Sequence, residues 1–382
     1  MSCNTTRRLQ GACSALPALG AALALGFLGA GGAGAASPTA TAPAATPLKE
    51  GGSRLRNGTI AYVMTDKYWS VYETPGKSEC PQGFNDGPRE QFKKLFSDGK
   101  QRSIVEAQLK REGEQWHPST SPEPFVFHEA QSKVSYGMDL DGKIGPNDFV
   151  GPNGEQGIDN QLYRAIGCIG HYRTGGTINH FENLFMRSYD DARIVIELTG
   201  VDSLVNDNDV TVTTYRGDDG LLQDATGDGF IPGGTQRIDT RWGKQYIVKL
   251  KGKIVNGVLT TEPIDRIELP WGVTFGTSGY HVFRGMRLQL KLTEDRAEGL
   301  IAGYVDVDAF IHHLNTSWST HHHSYGQLSS PSLYRALRRL ADGYPDPKTG
   351  VKTAISAAVT TKFVQVYVVH PAKNQLVVST GK

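Results

Sequence analysis

The sequence predicts a mainly β protein, with a β-sandwich or jelly-roll-like core and a few peripheral helices. Three observations support this fold class. The 382 residues include 45 glycines, a proportion that suits a chain with many turns and bulges. From Arg193 onward, short β-branched or alternating runs recur at regular spacing. Glycine, aspartate and asparagine separate these runs, and they are the residues that β-turns favour.

The N-terminal region predicts export. Arg7 and Arg8 precede an apolar stretch over 15–30, and Ala33-Gly34-Ala35 is a small-x-small site for a signal peptidase. Residues 1–35 are therefore interpreted as a signal peptide, of either the ordinary secretory or the twin-arginine type. Residues 36–52 are rich in proline, alanine and threonine, which predicts a disordered spacer. Residues 53–382 are predicted to form a single β-rich domain.

The pattern of apolar residues assigns the elements of that domain. A helical insertion is expected near 88–113, and a helix near 331–342 begins with a capping serine and an early proline. Residues 354–358 are interpreted as a further short helix. A hairpin is expected to turn at Lys251-Gly252. The predicted strands are 60–63, 193–198, 210–215, 246–250, 253–259, 266–269, 284–291, 299–307 and 363–369.

Charge and composition exclude some functions. The formal net charge is +1, from 40 basic and 39 acidic residues, so the chain lacks the positive excess that nucleic-acid binding needs. No segment after the signal peptide is long and apolar enough to span a bilayer. The expected location is the periplasm or the extracellular space. The expected partner is an unidentified ligand, such as a glycan or a component of the cell envelope.

The cysteines predict one disulfide bond. Removal of the signal peptide takes Cys3 and Cys13 with it and leaves Cys80 and Cys168. An even pair in an oxidising compartment favours a bond between the two. Neither C-x-x-C nor C-x-x-C-H occurs, which disfavours a zinc ribbon or a c-type haem.

Two oxygen-rich loops predict bound calcium. The first runs from Asp139-Leu140-Asp141-Gly142 through Asp148 to Asp159, and the second contains Asp224 and Asp228. Carboxylates at alternate positions can converge on a hard cation while glycine permits the sharp bend. The spacing is not that of an EF-hand. The alternative interpretation is ordinary turn chemistry, because a β-rich chain needs many aspartates and glycines in its turns.

A histidine-rich segment provides an alternative metal site. His312, His313, His321 and His323 lie within 12 positions of one another, and imidazole is a common ligand of zinc and copper. No H-E-x-x-H motif is present. A solvated histidine-rich loop would explain the same residues without a metal.

The sequence carries no recognisable catalytic signature. It has no G-x-S-x-G elbow, P-loop or dinucleotide-binding fingerprint, so no catalytic residue is assigned. The leading expectation is an exported binding or structural protein whose loops are ordered by calcium. The alternative is a metal-dependent hydrolase or transition-metal-binding protein that uses the histidine-rich segment with zinc or copper.

Overall fold

The computed structural model describes residues 53–74, 79–85, 110–111, 114–115, 126–188, 193–271, 279–316 and 330–372. These residues form a mainly β protein, as the sequence predicted. The strands are β1 (Thr59–Trp69), β2 (Lys110–Arg111), β3 (Glu114–Gln115), β4 (Ile194–Thr199), β5 (Asp207–Arg216), β6 (Gly234–Arg237), β7 (Val248–Val255), β8 (Val258–Thr261), β9 (Ile267–Pro270), β10 (Tyr280–Leu292), β11 (Arg296–Asp306), β12 (Gly343–Pro345) and β13 (Lys352–Val369). The α-helices are α1 (Gln161–Ile166), α2 (Thr177–Ser188), α3 (Val307–Thr316) and α4 (Ser330–Leu340).

Eight of these strands form a closed antiparallel β-barrel. The order is β1-β4-β5-β7-β8-β10-β11-β13, and β13 pairs back with β1. Strand β13 is 18 residues long and therefore pairs with β11 on one side and β1 on the other. The predicted sandwich or jelly-roll arrangement is not confirmed, because this double pairing joins the sheet to itself instead of leaving two facing layers.

The remaining strands extend the barrel wall. Strand β6 pairs with the last residues of β13 in parallel, β9 pairs with the start of β10, and β12 pairs with the start of β13. Strands β2 and β3 pair with each other and, within the described residues, with no other strand.

The alternation of side chains in β1 separates the inside of the barrel from its outside. Ile60, Tyr62 and Met64 belong to one large apolar cluster that receives side chains from all eight barrel strands. Ala61 and Val63 belong to a different, smaller cluster. The large cluster is therefore the barrel interior, since successive residues of a strand point to opposite faces.

A bulge reverses this alternation near the end of β1. The register with β13 shifts between Met64 and Asp66, and Trp69 then belongs to the interior cluster. Lys67 lies two residues before Trp69, so its side chain points to the same face of the strand, and it is fully buried. The extra residue of the bulge thus turns a lysine into the barrel.

The helices continue the apolar interior. Phe310 and Leu314 of α3 and Leu333 and Leu337 of α4 all belong to the interior cluster. Helix α4 lies where the sequence predicted a helix near 331–342. The helical insertion predicted near 88–113 lies outside the described residues, apart from the strand residues 110–111.

Two local predictions are wrong. Residues 354–358 were predicted as a helix but belong to β13, because their alanines and Ile355 pack in the closed sheet. The hairpin turns at Asn256-Gly257, five residues beyond the predicted Lys251-Gly252. Both turn residues have positive φ, of 50° and 79°, as a two-residue hairpin turn requires.

Candidate functional site

Three of the predicted calcium ligands lie together on the outside of the barrel. Each of Asp139, Asp141 and Asp159 places one carboxylate oxygen within 4.8 Å of those of the other two. Asp159 is buried, whereas the other two carboxylates are exposed. We call residues 138–159 the aspartate loop. In the described part of the chain, none of the three carboxylates forms an ion pair.

Backbone hydrogen bonds close the aspartate loop at its base. The Asp159 N–H donates to the Met138 carbonyl at 2.9 Å, so the two ends of the loop pair as an antiparallel bridge. The carboxylate of Asp159 in turn accepts from the Leu140 N–H at 2.7 Å. The first and last ligand candidates, twenty positions apart in the chain, therefore become neighbours.

Turn chemistry brings the other two carboxylates into place. Asp139 accepts from the Gly142 N–H and Asp141 accepts from the Lys143 N–H, as aspartates do at the start of turns. Gly157 has φ of +73°, and a Cβ added there would lie 2.7 Å from the Lys143 carbonyl oxygen. The loop therefore needs glycine at 157.

The aspartate loop is anchored to the barrel wall. Met138 and Leu140 pack against Ala302 of β11 and Ala358 of β13. Arg287 of β10 donates to the carbonyl oxygens of Asp139 and Leu140 at 2.9 and 2.7 Å. This arginine binds the loop through its backbone and leaves the carboxylate oxygens available to another cation.

Burial and mutual repulsion oppose ionisation of the central carboxyl. Desolvation raises the pKa of Asp159 to about 7, against the effect of the Leu140 N–H, and the charges of Asp141 and Asp148 add to the increase. The pKa of Tyr304 on β11 is also raised, mainly by burial and then by the negative charges of nearby carboxylates, including Asp159 and Asp141. The loop is thus a region of uncompensated negative charge.

The other predicted calcium ligands do not join this group. The Asp148 carboxylate accepts from the Gly145 N–H within its own turn. Asp224 accepts from the N–H and the hydroxyl of Thr226 at 3.0 and 2.6 Å, and Asp228 is exposed in the same loop. Within the described ranges, only the aspartate loop brings three carboxylates together. The loop around Asp224 has the hydrogen bonds expected of turn chemistry.

The structure places the two described histidines of the alternative site in different environments. His312 and His313 are adjacent on α3, but the first is exposed and the second is buried. The ring of His313 lies 4.4 Å, centre to centre, from that of His281 on β10. Burial, followed by the charge of Lys67, lowers the pKa of His313 to about 3. His321 and His323 lie outside the described residues.

The predicted disulfide bond is confirmed. Cys80 and Cys168 are bonded, with a Cα–Cα distance of 5.6 Å across a sequence separation of 88. Cys168 follows α1, which begins two residues after Asp159. The bond therefore ties the segment that follows the aspartate loop to the segment that follows β1.

Sequence patterns did not indicate the second polar group, which lies inside the barrel. Lys67, Glu182 and His281 come from three separate elements and are buried beside His313. The only local signal was the run Lys67-Tyr68-Trp69 after a predicted strand. Without knowledge of the bulge, alternation places that lysine on the outer face with Ala61 and Val63.

Comparison with known proteins finds no relative. No protein-family description, curated protein or solved structure matches the chain. No helix within the described ranges has the length and apolar character that a bilayer crossing requires. Any function must therefore be argued from the chain's own residues.

Proposed function

We propose that this is an exported binding or structural protein, a β-barrel whose aspartate loop is ordered by one calcium ion. The observation that carries the proposal is the approach of one oxygen each from Asp139, Asp141 and Asp159 to within 4.8 Å of one another. Three carboxylates at that separation repel one another unless a cation or a proton lies between them. The loop holds them there through its own backbone hydrogen bonds.

The chemistry of the donors favours calcium among common metal ions. All three side chains offer oxygen, which suits a hard cation, and the group contains no imidazole or thiolate. Calcium accepts six to eight oxygens in irregular geometry, so water molecules and backbone carbonyls can complete the shell of a loop with two exposed carboxylates.

Export is supported by two independent features. The first 35 residues carry a basic start, an apolar stretch and a small-x-small site. The Cys80–Cys168 bond is stable in oxidising compartments and rare in the cytosol. Expression of the full chain in a bacterial host, followed by fractionation and intact mass measurement, is expected to give an extracytoplasmic protein that begins at Ala36. A full-length chain in the cytoplasm would contradict export.

Calcium titration tests the function directly. Metal-free protein, prepared without a tag, is expected to bind one calcium ion per chain in calorimetry. Its melting temperature should rise with calcium and fall again with EDTA, because the ion binds only the folded loop. An affinity of about 10⁻⁵ to 10⁻³ M is expected, in the range of sensor and extracellular sites.

A matched pair of variants locates the ion. Asp141→Asn is expected to weaken calcium binding at least tenfold, because it removes one ligand charge. Asp228→Asn, in the loop around Asp224, removes an exposed carboxylate outside the group and should leave the affinity unchanged. The proposal fails if millimolar calcium produces no heat of binding and no change in melting temperature. It also fails if both variants bind calcium with the affinity of the original chain.

A further inference from the structure

A pocket opens at the end of the barrel where β1 begins and two hairpins, β7–β8 and β10–β11, make their turns. Its volume is about 440 Å³, which lies in the range of small-molecule sites, about 300–1,000 Å³. We call it the turn pocket, and its lining consists of residues 55, 204–205, 256–257 and 292–294. Four separate segments of the chain therefore build it.

The inner wall of the turn pocket is apolar. Leu292 is buried and belongs to the interior cluster of the barrel, and Leu55 and Leu204 are half-buried and pack against that cluster. Val205 lies at the rim, where it is 59% exposed. The apolar interior of the barrel thus reaches solvent at this pocket, and an apolar ligand would shield it from water.

Hydrogen bonds fix three of the four segments to one another. The Gly257 N–H donates to the Val205 carbonyl, and the Leu292 N–H donates to the Gly257 carbonyl, each at 2.8 Å. The Asn256 N–H donates to the side-chain oxygen of Asn206 at 3.0 Å. A pocket held by bonds between its own turns is pre-organised, so a ligand can enter without ordering the loops first.

One charged side chain lines the turn pocket. The carboxylate of Glu294 accepts from the Ser53 hydroxyl at 2.9 Å and from the Arg54 N–H at 3.2 Å, which ties the fourth segment to the others. Both donors are uncharged, because the guanidinium of Arg54 pairs with Asp295 at 3.2 Å. Within the described residues Glu294 forms no ion pair. Its carboxylate therefore keeps its charge and can accept from a further donor.

The negative potential extends to the interior side of the pocket. The Tyr62 hydroxyl, inside the barrel, donates to the Thr293 carbonyl at 2.7 Å. Burial, followed by the charges of Glu294 and Asp295, raises the pKa of Tyr62 well above its ordinary value. The same charges favour a cation at the pocket and disfavour an anion.

We propose that the turn pocket binds a small primary alkylammonium ion, with its alkyl chain on Leu55, Leu204 and Leu292 and its ammonium group on the carboxylate of Glu294. The apolar wall matches the chain, and the single carboxylate matches a single positive charge. A metal ion would gain nothing from the leucines, and a fatty acid would meet the carboxylate with like charge. The turn pocket shares no residue with the aspartate loop, so the proposal stands whether or not calcium binds there.

Calorimetry and amide NMR on the purified, EDTA-treated protein test the proposal. The chlorides of n-butylammonium and n-hexylammonium are the probes, with sodium chloride at the same ionic strength as the reference. Both probes are expected to give saturable heat and to shift the amide signals of Gly257 and Leu292. The hexyl probe should bind with a Kd below about 10 mM and more tightly than the butyl probe, because it buries more CH₂ groups.

Two probes of the same length separate the contribution of charge from that of the alkyl chain. n-Hexanol keeps the chain without the charge, and hexanoate carries the opposite charge. Each should bind at least about threefold more weakly than n-hexylammonium, because a partly solvated ion pair contributes a modest but measurable share of the affinity.

Two variants and one control locate the ligand. Glu294→Gln keeps an oxygen acceptor but removes the charge, and it should weaken n-hexylammonium binding about fivefold while leaving n-hexanol binding unchanged. Val205→Ser, at the exposed rim, should weaken the binding of both. Glu298→Gln removes an exposed carboxylate of β11 outside the pocket and should bind as the original chain does.

The proposal is overturned if n-hexylammonium gives no saturable heat, or if n-hexanol or hexanoate binds with the same Kd. It is also overturned if Glu294→Gln binds n-hexylammonium with unchanged Kd. Retained n-hexanol binding in that variant shows that the pocket itself is intact, so a lost ammonium contact is not mistaken for a lost fold.

Discussion

The aspartate loop and the barrel-mouth cluster, which consists of the buried side chains of Lys67, Glu182, His281 and His313, place their charged groups in different surroundings. In the loop, three charges of one sign come from a segment of 22 residues and lie against solvent on the barrel wall. In the cluster, a lysine and a glutamate come from distant elements and share one indole in the interior. The loop accumulates repulsion that a cation relieves, whereas in the cluster the Lys67 ammonium and the Glu182 carboxyl group both contact the Trp271 indole. Removal of a carboxyl group should therefore have opposite effects on stability in the two regions.

The largest expected effect tests this difference in sign. Glu182→Ala should destabilise the protein by about 3–5 kcal/mol, because it leaves the buried Trp271 N–H without its acceptor and removes a carboxyl group whose charge interacts with that of the buried lysine. Asp141→Ala, measured without calcium, should be neutral or stabilising by up to about 1 kcal/mol, because it relieves repulsion. Urea denaturation measures the free energy of unfolding of each variant and compares it with that of the original chain. Destabilisation of similar size in both would contradict the comparison.

The response to pH should also differ in sign. Asp159 has a raised pKa in the folded state, so its protonated form contributes stability that is present below about 4 and lost as the pH rises to about 7. This loss amounts to roughly 3 kcal/mol in metal-free protein, since solvent on the exposed side of the loop screens part of the full effect of about 4 kcal/mol. Asp159→Asn should remove it and raise the metal-free stability at pH 8. Calcium binding at pH 7 should release protons, which calorimetry in buffers of different ionisation enthalpy detects.

The buried imidazoles should produce the opposite trend. Their lowered pKa means that stability is complete above about 6.5 and is lost as the pH falls, because the unfolded chain binds protons that the folded chain rejects. His313 alone should cost roughly 2–3 kcal/mol at pH 4.5. The Asp159→Asn variant isolates this effect, and its stability should fall steadily below pH 6.5. Two imidazole NMR signals that do not titrate between pH 5 and 8 would agree with burial.

The smallest expected effect concerns the shape of the aspartate loop. Gly157 and Gly154 both have positive φ, but only at Gly157 would a Cβ meet backbone, 2.7 Å from the Lys143 oxygen. Gly154→Ala should therefore cost about 1 kcal/mol through strain alone. Gly157→Ala should cost about 1 kcal/mol more and weaken calcium binding, because it displaces the turn that carries Asp139. Equal calcium affinity in the two variants would show that the loop tolerates this displacement.

Local patterns were sufficient where the chain's neighbours in sequence are also its neighbours in space. The β-rich class and the helix at 330–340 followed from composition and spacing. The Cys80–Cys168 bond joins residues 88 positions apart, and it followed instead from the even number of cysteines left after removal of the signal peptide. The first carboxylates of the aspartate loop also followed, because Asp139 and Asp141 form their turns with residues two or three positions away. The turn at Asn256-Gly257 carried a usable signal that the prediction overlooked.

Other features depended on contacts that no local pattern contains. The sequence determined that β-strands form, but closure into a barrel depended on how far β13 extends along both β11 and β1. It supplied aspartates in two loops, but only the pairing of Met138 with Asp159 selected which ones meet. Lys67 faces inward because one bulge reverses the alternation of β1, and α2 and α3 then enclose it. Side-chain direction is local, but burial and charge environment are set by distant segments, and only the tertiary structure brings those segments together.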